Sequence, residues 1–156
     1  MADWYCPLPF RHAYVDSTGI APCCQILRQS VSLDTWSDNQ VLQRIQSEIL
    51  QGQRPAECEP CQQQESARSH SLRLSSIEDY QNQRFTDTQI DFVDYRSSNI
   101  CNFKCRTCRP ESSHGIAQEF RQHPELRPFA WLVDGKTVSV DQHNRDWIIA
   151  NLPNLK

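Results

Sequence analysis

The strongest periodic signal in the chain lies over residues 41–50, where Val41, Leu42, Ile45, Ile49 and Leu50 recur at helical spacing with polar side chains between them. This spacing predicts an amphipathic helix with that stripe in the core, opened by a Ser37/Gln40 capping pair and ended by Gly52 and Pro55. Nearer the start, Arg11-His12-Ala13-Tyr14-Val15 reads as a short strand and Asp16-Ser17-Thr18-Gly19 as a turn. Ile20-Ala21-Pro22-Cys23-Cys24 then reads as the returning arm of a hairpin. Pro7 and Pro9 predict an extended run before it, with no early helix. Farther on, Ile90-Asp91-Phe92-Val93-Asp94-Tyr95 predicts another strand, and Ile116, Ala117 and Phe120 the apolar side of a helix that starts after Pro110. Residues 74–88 are polar and read as a linker. Residues 123–142 are broken by Pro124, Pro128 and Gly135 and read as irregular, and 146–152 as a short amphipathic helix.

These elements predict an α/β chain in two parts. Residues 1–82 form a small Cys-rich hairpin-plus-helix module of α+β character, and residues 83–156 a strand, a loop and a helix. The composition limits how far either part can stand alone. Only 38% of the 156 residues are hydrophobic and the mean hydropathy is -0.67, so a large apolar core is excluded and bound metal is an expected source of stability. No apolar run is long enough to span a bilayer, which predicts no membrane association. A net charge of -3 disfavours a dedicated nucleic-acid binder. Eight Cys with no positively charged, apolar leader predict a reducing, cytoplasmic setting in which thiols ligate metal instead of forming disulfides.

The thiols fall into two sets. Cys101, Cys105 and Cys108 follow the strand with Cys-x3-Cys-x2-Cys spacing, a pitch that turns three thiolates onto three corners of an iron–sulfur cube and offers no fourth ligand. An iron left open is a place for a small molecule to bind. Cys58-Glu59-Pro60-Cys61 is a two-thiol clip at the start of a helix predicted over 62–69, where exposed amides favour thiolates. With Cys6 and one of Cys23 or Cys24 it completes four-thiolate ligation of a second metal. Spacing alone leaves open which of Cys23 and Cys24 belongs to the set.

The stretch Asn99-Ile100-Cys101-Asn102-Phe103-Lys104-Cys105-Arg106-Thr107-Cys108 resembles the signature of the radical S-adenosylmethionine (radical SAM) superfamily. The resemblance implies a 4Fe-4S cluster on Cys101, Cys105 and Cys108 whose open iron binds the amine and carboxylate of SAM. Thr107 stands where an aromatic residue often lies beside the adenine, so contact there would be through backbone. Reduction of the cluster would cleave SAM to a 5'-deoxyadenosyl radical that takes hydrogen from a substrate. Arg106 and Arg109 read as counter-charges to the cluster or the SAM carboxylate. The N-terminal half resembles the SPASM and Twitch auxiliary-cluster modules, on Cys6, on Gly19 shortly before a Cys, and on the Cys58/Cys61 clip followed by Glu65, Ser69 and Arg73.

By this resemblance residues 83–156 are the first β/α unit of an incomplete partial TIM barrel. The chain stops at Pro153-Asn154-Leu155-Lys156 without the Gly-Gly-Glu strand that holds the SAM amine. It is therefore expected to be a fragment, inactive alone, of an enzyme acting on a peptide or protein. Flavodoxin or ferredoxin is the expected electron donor. Two other classes fit the same thiols. A zinc-stabilised protein- or RNA-binding module would use zinc at both sets, with His114 as a fourth ligand beside Cys101, Cys105 and Cys108; a two-cluster electron-transfer protein would need four ligands at each.

Overall fold

The computed structural model describes residues 4–101, 103, 105, 108, 110–125 and 139–155. The hairpin forms as its turn residues require. β1 (His12–Asp16) pairs antiparallel with β2 (Gly19–Ala21), Tyr14 opposite Ala21 and Asp16 opposite Gly19. The Asp16 carboxylate closes the turn by accepting from the Thr18 amide at 2.8 Å and its hydroxyl at 2.6 Å. β3 (Phe92–Tyr95) lies parallel to β1 on its other side, His12 opposite Phe92 and Val15 opposite Tyr95, giving the order β2-β1-β3. A strand from residues 1–82 and one from residues 83–156 thus share a single mixed sheet.

Alternation along these strands sorts the two faces of the sheet. Ala13, Val15, Ile20, Val93 and Tyr95 belong to a core completed by Leu33, Trp36, Leu42, Val140 and Ile148. His12, Tyr14, Phe92 and Asp94 take the other face, where the candidate sites lie. α2 (Gln40–Leu50) joins this core to a second one, since Leu42 enters the first while Ile45 and Ile49 pack with Trp4, Tyr5, Leu8, Phe10 and Ile26. Each of these three α2 side chains is fully buried and contributes roughly 1.5–3 kcal/mol.

Several local expectations are corrected. α2 is capped by Asn39, not by Ser37 and Gln40: the Asn39 side chain accepts from the Val41 and Leu42 amides at 3.0 and 3.1 Å, while Ser37 sits in a 3-10 turn. Leu50 points to solvent, and Gln46 turns inward instead, donating to Pro9 O and Thr88 Oγ1, each at 2.7 Å. The prolines do not bar an early helix, because α1 (Leu8–Arg11) places them in its cap and first turn, where a missing N–H costs nothing. The linker expected over 74–88 begins as helix: α4 (Leu72–Asp79) is capped by Ser71, whose hydroxyl accepts from the Leu74 amide at 3.2 Å.

α3 (Glu59–Ser66) starts at the Cys58 clip, three residues earlier than expected. α5 (His114–Gln122) starts at a Ser113 cap, with His114 as its first residue, and buries Ile116 and Ala117. α6 (Gln142–Asn151) starts earlier than expected because Asp141 accepts from the Asn144 amide at 3.0 Å. Buried Asn144 in turn accepts from the Leu33 amide at 2.8 Å and ties α6 to the N-terminal half. Residues 126–138 of the stretch expected to be irregular lie outside the described residues. Among the described residues no helix is long and apolar enough to cross a membrane.

Candidate metal centres

Three chain segments that are distant in sequence converge at the first site. Cys6 immediately precedes α1, Cys23 lies just past β2, Cys58 is the residue before α3 and Cys61 falls in its first turn. All four line one pocket, together with Leu8, Ile26 and Arg73. Its enclosed space is about 20 Å³, room for an object the size of one water. Cys24 does not line it; that side chain is exposed and lines two neighbouring hollows. The choice that spacing left open is thereby narrowed geometrically, with Cys23 beside the other three thiols. His12 helps to hold it there, its buried Nδ1–H donating to Pro22 O at 2.8 Å.

Burial dominates the acid–base behaviour of this pocket. It pushes the Cys6 thiol up to about 11, against lowering hydrogen bonds from the Leu8 amide and Ser76. Burial likewise raises Cys23 to about 12, opposed by the Gln25 amide, with Cys6 and Cys58 adding to the rise. Cys58 is also raised to about 12, by burial and then by Cys6 and Cys61. The low pKa expected of a thiol at a helix start is therefore overridden by desolvation. Cys6, Cys23 and Cys58 are thereby held in the neutral thiol form near pH 7.

The surroundings fit thiolate ligands. Two backbone amides, each two residues past a Cys, reach sulfur. The Trp4 indole nitrogen is buried without a hydrogen-bond partner among the described residues. Arg73 lines the pocket wall and carries positive charge toward it. Its guanidinium is held by Glu65 at 3.0 and 2.5 Å and donates to Tyr5 O at 3.0 Å. Glu65 and Arg73, which the sequence marks only by their distance from the clip, thus bind α3 and α4 to the segment carrying Cys6. Among the described residues no three Cys, His, Asp or Glu side chains already stand close enough to hold a metal ion.

The second site lies past the carboxyl end of β3. Cys101 and Cys108 are half-buried and Cys105 is exposed. The loop is tied down by backbone contacts: Cys108 N–H donates to Cys105 O at 3.0 Å, His114 N–H to Asn99 O at 2.8 Å and Gly115 N–H to Cys101 O at 3.4 Å. Ser113 Oγ donates to Phe103 O at 3.3 Å, so the cap of α5 also anchors the loop. Thr107, with Asn102, Lys104, Arg106 and Arg109, lies outside the described residues.

Cys105 and Cys108 open onto a cleft of about 960 Å³ whose other walls include Tyr14, Arg28, Arg96, Asn99 and Cys24. Arg28 and Arg96 both stack on Tyr14, their guanidinium carbons 4.3 and 5.2 Å from its ring centre. Arg28 is also paired with Asp16 at 3.1 Å. Sequence reasoning gave none of these three a role. For Tyr14 the one visible signal was the alternation of β1 and β3, which sets it on the same face as Asp94. Cys23 and Cys24 connect the two sites, one thiol on the pocket and its neighbour on the cleft. No known protein family, no curated protein and no solved structure matches this chain.

Proposed function

We propose that the chain belongs to a radical SAM enzyme with two metal centres, a 4Fe-4S cluster held by Cys101, Cys105 and Cys108 and an auxiliary iron–sulfur cluster held by Cys6, Cys23, Cys58 and Cys61. The observation that carries the reading is the three-thiol loop itself, fixed at the carboxyl end of a strand and opening onto a cleft. When bound there, the cluster and SAM supply one-electron cleavage to a 5'-deoxyadenosyl radical, with reduced flavodoxin or ferredoxin as the electron source. The chain's own residues do the placing. Backbone ties to Asn99, Cys101 and Phe103 fix the loop, and the cleft that Cys105 and Cys108 face is within the size range of ligand pockets. Arg28 and Arg96 supply positive charge for a carboxylate, of SAM or of a peptide substrate. A cytoplasmic setting accords with eight free thiols.

A second reading applies to the auxiliary site. Four thiolates and no His also suit a single structural zinc ion there. Anaerobic reconstitution followed by iron, sulfide and zinc analysis tests both readings. Replacing Cys101, Cys105 and Cys108 by Ala is expected to remove about four irons and four sulfides and to leave the N-terminal metal. Zinc alone at the loop would overturn the enzymatic reading in favour of a binding module.

A further inference from the structure

A hollow of about 400 Å³ lies between α1, α4 and the face of β1 and β3 turned away from the sheet's core, walled by Leu8, Leu72, His12, Phe92, Asp79 and Asp94. Its charge is of one sign, since Asp79 and Asp94 line it and no Lys or Arg among the described residues does. The Asp79 carboxylate, exposed at the end of α4, has no hydrogen-bond or ion-pair partner among the described residues. Asp94 comes no closer than 4.0 Å to Arg96. The parallel register sets His12 opposite Phe92, and the two rings stack with centres 5.3 Å apart. Phe92 is 48% exposed, so much of its ring is left open. His12 is only 7% exposed, and its Nδ1–H is taken by Pro22 O at 2.8 Å. Nε2 of that neutral tautomer is an acceptor with no partner among the described residues, on a buried side chain that lines the hollow.

An aromatic wall, two carboxylates and a buried acceptor suit a flat organic cation. A guanidinium stacks on a ring, offers a fork of N–H donors to carboxylates and is weakly hydrated enough to leave water, whereas an ammonium is a strongly hydrated point charge that uses less of the wall. The hollow meets the larger cleft at Cys24, so a ligand longer than one residue can run from one into the other. We propose that this hollow binds the side chain of an arginine residue in a peptide, its guanidinium donating to Asp79 and Asp94 and lying against Phe92. That the bound peptide is the enzyme's substrate rests on the reading of the cleft given above; the guanidinium site itself uses neither metal centre.

Calorimetric titration of the full chain, purified anaerobically, tests the site with N-acetyl-arginine amide as the probe. The isosteric but uncharged N-acetyl-citrulline amide is expected to bind about 10-fold more weakly or not at all, and N-acetyl-lysine amide more weakly than the arginine probe. D79N and D94N should each weaken the arginine probe about 3–5-fold, and the double variant about 10-fold. Both carboxylates lie outside the buried core, so these variants keep the fold, and a urea midpoint equal to the parent's shows it. F92L, which keeps apolar bulk and removes the ring, should cost about 3-fold. Citrulline binding as tight as arginine, a double variant within twofold of the parent, or no heat with the arginine probe overturns the site. Tighter binding of free arginine than of the amide overturns the peptide as its source. Because the titration contains no SAM, its failure leaves the enzymatic reading standing, and zinc at the three-thiol loop would leave a measured guanidinium site standing in turn.

Discussion

Replacing Gly19 by Ala tests how the fold presents Cys23. Gly19 has φ +135°, a conformation that L side chains rarely adopt, and a Cβ built there would stand 2.3 Å from Gln29 O and 2.8 Å from its carbonyl carbon. Both atoms belong to backbone, so no side-chain rotation relieves the clash. Gln29 cannot withdraw without breaking its two hydrogen bonds with Ile20, at 2.9 and 2.6 Å, which close the loop carrying Cys23 and Cys24. Overpacking of this kind costs about 1–3 kcal/mol and the backbone conformation another ~1 kcal/mol or more. The expected loss is therefore roughly 2–4 kcal/mol, a large share of the stability of a small domain. Urea denaturation of the metal-free protein measures it, and chelator competition reads the accompanying fall in metal affinity at the N-terminal pocket. A G19A protein within 0.5 kcal/mol of the parent (roughly the scatter of neutral surface changes) and with unchanged metal uptake would refute the reasoning.

Other expectations follow from the same geometry. C23A should abolish metal retention in the N-terminal pocket while C24A retains it; equal losses in metal analysis would contradict the assignment of Cys23. N144L should cost roughly 1–3 kcal/mol in denaturant melts, because the buried Leu33 amide loses its acceptor. Pairing with Asp34 at 3.0 Å raises the His143 pKa above 6.5. Its stabilisation is therefore complete below the unfolded pKa near 6.5 and lost as pH rises through the higher folded value. H143Q should flatten the decline in urea midpoint over that window; an unaltered pH profile would remove the pair from consideration.

The hairpin, the α2 stripe and the position of the clip at a helix start were legible in the sequence because each is set by neighbours a few residues apart. Pairings set by distant segments were not. The parallel alignment of His12 with Phe92 spans most of the chain, and no local pattern distinguishes it from a β3 that pairs elsewhere. The separation of Cys23 from Cys24 depends on which way the loop past β2 turns, and that is governed by the Ile20–Gln29 bridge and the His12–Pro22 contact. Local rules were outweighed at two points. Desolvation by burial raises Cys58 despite its place before a helix, and Asn39 takes the α2 cap from a Ser37/Gln40 pattern that reads well in isolation. The three-thiol loop stood out by spacing, whereas the cleft beside it required Tyr14, Arg28 and Arg96 to be brought together by the fold.

The claim on which the account rests is that Cys101, Cys105 and Cys108 hold a cluster with one iron open to a nucleoside cofactor. Electron paramagnetic resonance of the reduced, anaerobically reconstituted protein, recorded before and after addition of SAM, tests it directly. The account predicts a SAM-dependent change in the signal that disappears when the three Cys are replaced by Ala and survives replacement of Cys58 and Cys61. A cluster signal indifferent to SAM, or one that vanishes only with Cys58 and Cys61, would contradict it.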